Sequence, residues 1–97
     1  MSLTRDFEKG IAESAKLCLS YLNSYKKSEQ KYGSGDDYCL DKALGCLDYI
    51  DEWFEKATNF RASLSDKEFA KLTKVREENR QKCISMFAAL GFDTSEL

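Results

Sequence analysis

Apolar side chains recur along this chain at three- and four-residue intervals in three long stretches, separated by two short polar breaks. In the first stretch Phe7, Ile11, Ala15, Cys18, Tyr21, Leu22, Tyr25 and Tyr32 follow the 3.6-residue period of one helix face. Gly33 and Gly35, inside YGSGDD, supply the stop, because glycine accepts the left-handed residue on which many helices end. Asp36 or Asp37 then caps a second helix, whose core stripe holds Leu40, Ala43, Cys46, Leu47, Ile50, Phe54 and Ala57. The third stretch opens after RASLSD. Ser65 and Glu68 stand at capping-box spacing, with Asp66 in the positively polarised first turn. Its stripe is Phe69, Leu72, Val75, Asn79, Cys83, Met86, Phe87 and Leu90, and Gly91 with Phe92 is set for a Schellman close.

The pattern predicts helices over about 4–32, 36–60 and 65–91. No segment alternates apolar and polar residues with period two, so no strands are expected. Similar lengths and short connections favour an all-α fold, an antiparallel up-down-up three-helix bundle forming a single domain over residues 1–97. The closing DTSEL has the look of another helix start, with Asp93 and Glu96 again at capping-box spacing.

Composition narrows the classes of function. Hydrophobic residues at 42 % and charged residues at 33 % describe a soluble globular chain. No uncharged run approaches the roughly 20 apolar residues of a membrane span, and no secretory signal is visible, so no membrane partner is expected. A net charge of −2 offers nucleic acid little. Lys67, Lys71 and Lys74 share a helix face, but Glu78 follows them there, which reads as a solvated surface.

Four cysteines bear on the compartment. Cys39 and Cys46 stand seven residues apart on one helix, about 10.5 Å along its axis, too far for a disulfide. All four lie on or beside apolar stripes, where a free thiol behaves as a small hydrophobe. Free, slowly reacting thiols and a reducing, cytoplasmic location are therefore expected. Aligning the helices by their ends places Cys46 nearest Cys83 in height, with Cys18 lower and Cys39 higher. The chain has no histidine and no close cysteine pair, which removes the usual zinc ligand sets.

The stretch CLDYIDEWFEK, Cys46 to Lys56, mixes acids with large apolar residues and separates them on a helical wheel. With Leu40 at zero, the core stripe falls between about 240° and 340°, while Asp41, Asp48, Glu52 and Glu55 fall between about 60° and 120°. Asp51 lies at the edge. The expected reading of these acids is a solvated ridge on the wet back of a core helix; because Asp48, Asp51, Glu52 and Glu55 have the three-and-four spacing that brings carboxylates together, a Mg²⁺ or Ca²⁺ site is the alternative. Glu52-Trp-Phe-Glu55 is similar to the first half of the E-x-x-E, E-x-x-D magnesium motif of the small all-α nucleotide pyrophosphohydrolases. The second half is missing downstream: Glu68, Glu77 and Glu78 are not followed by an acid three residues on. No histidine is available as a base, and no phosphate-cradling glycine loop appears.

Tyr49, Trp53 and Phe60 fall between about 180° and 220° on the same wheel, widening the apolar arc of the second helix beyond its core stripe. Leu17 and Ile84 also stand off their stripes. Aromatic side chains are enriched among interface anchors, so Tyr49, Trp53 and Phe60 form the candidate partner-binding set. On this reading Trp53 lends contact area to a neighbour without filling the core. Asn79 occupies a wet part of its seam, and Arg76 and Arg80 flank that stripe with their heads in water. The expected function is a non-enzymatic protein–protein interaction module, a small intracellular adaptor, regulator or inhibitor without a cofactor, whose partner is another protein or a second copy. The alternative is a metal-dependent hydrolase using the acids of the second helix.

Overall fold

The computed structural model describes residues 2–97 and contains three α-helices joined by short connections: α1 Leu3–Tyr32, α2 Asp37–Asn59 and α3 Asp66–Ala89. A single 3₁₀ turn, Arg61–Ser63, precedes α3, and no strand occurs among the described residues. The helices pack against one another as an up-down-up three-helix bundle. Its dimensions are 50 × 26 × 15 Å, long and flat in section.

Each helix end is fixed by the residue whose chemistry fits it. Gly33 takes φ 80° and its amide donates to Glu29 O at 2.9 Å. The Asp36 carboxylate accepts from Tyr38 N at 2.9 Å and starts α2. At α3 both halves of the capping box are made, Glu68 N to Ser65 Oγ at 3.1 Å and Ser65 N to Glu68 Oε1 at 3.0 Å. Gly91 at φ 91° ends the helix, with Phe92 N donating to Phe87 O and Gly91 N to Ala88 O, which is the Schellman arrangement. DTSEL, by contrast, makes no helix. Asp93 accepts from Ser95 N, and Leu97 N closes one turn on Thr94 O. The turn brings the half-buried Leu97 to the small hollow that Leu40 and Leu44 of α2 also line.

Ile11, Ala15, Cys18 and Leu22 of α1 meet Ala43, Cys46, Leu47 and Ile50 of α2 and Cys83 and Phe87 of α3 in the larger core sector. A smaller sector near the α2–α3 connection holds Phe7, Ala57, Leu64 and Leu72. Leu64 lies outside every helix yet is buried, sealing the end of the bundle beneath the 3₁₀ turn.

The register between the parallel helices α1 and α3 corrects one expectation. Cys18 does not sit below the level of Cys83. The two thiols are neighbours in the core, and Cys83 Sγ donates to Ala15 O at 3.7 Å. The register is held at the other end of the molecule, where the Thr4 hydroxyl donates to Glu68 Oε2 at 2.6 Å. Lys71 Nζ also reaches Glu8 at 3.3 Å, one turn along. These ties join matching turns at the starts of α1 and α3, so the two helices begin level and Cys18, Cys46 and Cys83 gather in one part of the core. All three are buried, Cys39 is half-buried, and all four are free. Hydrogen bonding to Cys83 and burial hold the Cys18 thiol far above its ordinary range, so it stays protonated.

The Thr4–Glu68 tie carries a pH signature. The Thr4 hydroxyl, followed by the Ser65 amide and hydroxyl, holds the Glu68 carboxyl below the usual carboxylate range. A depressed folded-state value contributes stability above the unfolded-state value, and that contribution is lost as pH falls through the folded-state value. Thr4→Val should therefore lower the melting temperature at neutral pH, and the gap to wild type should narrow on acidification below the ordinary carboxylate range. A gap that widens in acid would show that the tie does not depend on the ionised carboxylate.

Candidate functional site

The face of the α1–α2 pair turned away from α3 is an open apolar groove. Its depth comes from glycine. A Cβ placed on Gly10 would lie 2.4 Å from the indole carbons of Trp53, so the bare backbone lets the Trp53 ring lie directly on α1. Trp53 also meets Phe7 edge-on, with centroids 6.4 Å apart, and Lys56 Nζ lies 4.6 Å from its ring centroid. Phe60 stands against Phe7 at 6.2 Å.

Two hollows line the groove. The first, about 530 Å³, is bounded by Leu3, Asp6, Phe7, Gly10, Glu13, Trp53 and Phe60. The second, about 360 Å³, is bounded by Leu17, Tyr21, Asp41, Lys42, Gly45 and Tyr49. Tyr21 continues the apolar surface into Tyr38, edge to face at 6.4 Å. Among the described residues seven large apolar side chains stand exposed, and five of them, Leu3, Leu17, Tyr38, Tyr49 and Phe60, belong to this one surface. Scattered apolar exposure is ordinary on a folded protein; gathering along one groove is not.

The three aromatics singled out from the sequence occupy different places here. Tyr49 and Phe60 project, at 56 % and 51 % exposure. Trp53 is half-buried and packs against both core sectors, forming the floor of the first hollow. The helical wheel gave its direction, but only the glycine opposite explains its depth. Gly10 was the signal available in the sequence, a glycine in mid-helix where helix propensity disfavours one.

The acids of α2 separate into two groups. Asp51 turns toward α3, where Arg76 Nη2 lies at 2.9 Å, Arg76 Nε donates at 3.1 Å, and Arg80 Nη1 lies at 3.6 Å. The Arg76 guanidinium also covers the Phe54 ring at 5.1 Å, and Arg80 donates to Leu97 O. Asn79 is half-buried and turns its amide onto Val75 O at 2.8 Å, within its own helix. Asp48, Glu52 and Glu55 stay exposed. With Asp51 engaged by two arginines, the four carboxylates do not converge. Among the described residues no group of three or more Cys, Asp or Glu is arranged to hold a metal ion. No described helix is long and apolar enough to cross a membrane.

Compared with known protein families, with curated proteins and with solved structures, the chain shows no significant match to any of them.

Proposed function

We propose that this chain is a non-enzymatic protein–protein interaction module, working as a small adaptor, regulator or inhibitor through the outer α1–α2 groove. The observation that carries the reading is the gathering of Leu3, Leu17, Tyr38, Tyr49 and Phe60, five of the seven large apolar side chains exposed among the described residues, on that surface. Tyr49 and Phe60 act as the projecting anchors, and Trp53 shapes the hollow that receives the partner. Four free thiols, three of them buried, fit a reducing compartment such as the cytoplasm.

The test compares wild type with Tyr49→Arg. That side chain is mostly exposed, so helix content by circular dichroism should not change. Affinity capture from the source cells and sedimentation should together reveal a stoichiometric partner, a second copy included, that the variant loses. A variant that keeps every partner, or a wild type that is monomeric and captures nothing specific, refutes the proposal.

A further inference from the structure

We infer that Cys18 and Cys83 form a redox latch: an oxidant of the peroxide class joins them in a disulfide that ties α1 to α3 through the core. The inference goes beyond the interaction reading and uses side chains that the outer groove leaves idle.

Placement carries it. α1 and α3 run parallel and begin level, held there by Thr4 with Glu68 and by Lys71 with Glu8. Where the thiols meet, Ala15, Cys18 and Cys83 are all small and at most 2 % exposed, so the two backbones approach closely. Cys83 Sγ lies 3.7 Å from Ala15 O. Cys18 stands one turn after Ala15, and a helical side chain leans back over the turn N-terminal to its own Cα. The Cys18 sulfur therefore points at the turn of α1 that Cys83 already touches from α3. A disulfide tolerates Cα atoms up to roughly 7 Å apart, a reach that two side chains meeting at one carbonyl satisfy.

The electrostatics make the pair asymmetric. Contact with Cys18, followed by the Arg80 and Lys82 charges, holds the Cys83 thiol below its ordinary range against the effect of burial, while Cys18 is held up. Cys83 is thus the nucleophile and Cys18 the partner that keeps its proton. The remaining thiols face elsewhere. Cys39 is half-buried near the start of α2, and Cys46 lines the second hollow of the outer groove.

The Cys83 thiolate attacks one peroxide oxygen, the O–O bond breaks, and a sulfenic acid forms. The hydroxide released takes up the proton that Cys83 gave away. The Cys18 sulfur then attacks the Cys83 sulfur, the S–S bond forms, and the sulfenic oxygen leaves as water with the Cys18 proton. Two thiols are oxidised and one hydrogen peroxide is reduced to two waters. Because both sulfurs are buried, the step waits on local opening of the bundle, and a reducing compartment keeps the latch open.

The experiment treats the reduced chain with hydrogen peroxide, alkylates the remaining thiols in denaturant, and maps the products by mass. The folded protein should keep Cys39 and Cys46 free and yield a Cys18–Cys83 peptide pair that dithiothreitol separates. The link spans 65 positions, so it should raise the melting temperature by at least about 5 °C over the reduced protein. Cys18→Ala and Cys83→Ala should each abolish the crosslink and the shift, and Cys39→Ser should abolish neither. Oxidation in concentrated urea gives the contrast, because the shortest loop closes most readily in an unfolded chain and Cys39–Cys46 should then lead. Three outcomes in the folded protein overturn the latch: pairing through Cys39 or Cys46, sulfinic acid without a crosslink, or four free thiols once the half-buried Met86 has become the sulfoxide. A Cys18–Cys83 link that does not raise the melting temperature overturns it as well.

Discussion

Gly10→Ala is expected to destabilise the protein by about 1–3 kcal/mol, and to stabilise it by up to about 1 kcal/mol once Trp53 has been replaced by alanine. The sign reverses because two effects compete at one atom. Alanine is the better helix former, which alone favours the substitution. Its Cβ, however, would enter the indole at 2.4 Å, and the ring cannot retreat without leaving Phe7 and both core sectors. Trp53→Ala alone should cost about 3 kcal/mol, since it empties a site shared by two sectors. Trp53→Arg should cost at least as much and leave Lys56 facing a like charge in place of a ring. Urea melts of the four proteins in the cycle give the coupling directly. A stabilising Gly10→Ala in both backgrounds would mean that the indole slides aside freely, and that the floor of the groove is not rigid. The same argument decides which residues probe partner binding. Trp53 variants confound fold with function, whereas Tyr49 stands above the groove and reports on the partner alone.

Helical periodicity carried most of the architecture. Phe7, Ile11, Ala15, Cys18 and Leu22 are buried because a three-and-four stripe has only one side to bury, and the caps at Asp36, Ser65 and Gly91 follow from local chemistry. Relative height between helices was not legible in the same way. Periodicity fixes which face a residue is on, not how far two helices slide past each other. That sliding depends on pair contacts such as Thr4 with Glu68, invisible until α1 and α3 are laid together. With α1 and α3 tied there, Cys18 comes beside Cys83 and not below it. The candidate site divides along the same line. The direction of Tyr49, Trp53 and Phe60 came from the wheel, but the burial of Trp53 depended on Gly10, 43 positions away. The acidic ridge was legible as a surface.

Phe87→Ala should be among the most damaging single truncations, costing about 4 kcal/mol, while Phe87→Leu should cost roughly 1–1.5 kcal/mol. Phe87 is 1 % exposed and ranks among the largest fully buried side chains, in the sector where all three helices meet. Alanine there leaves a void that the surrounding core cannot close without moving whole helices, whereas leucine keeps most of the volume. A domain of this size has only about 5–15 kcal/mol of net stability, so the alanine variant should stay folded at room temperature only narrowly. The damage should extend to the chain after α3. Phe92 stacks edge-on against Phe87 at 6.1 Å and leans on Tyr25 at 5.4 Å, and Leu97 lines the small hollow beside both. Phe92→Ala should therefore cost less in the Phe87→Ala background than in wild type, since one of its two ring partners is already gone. Equal costs in the two backgrounds would show that Tyr25 alone holds the segment after Gly91. The Schellman hydrogen bonds would then fix its direction without help from the core.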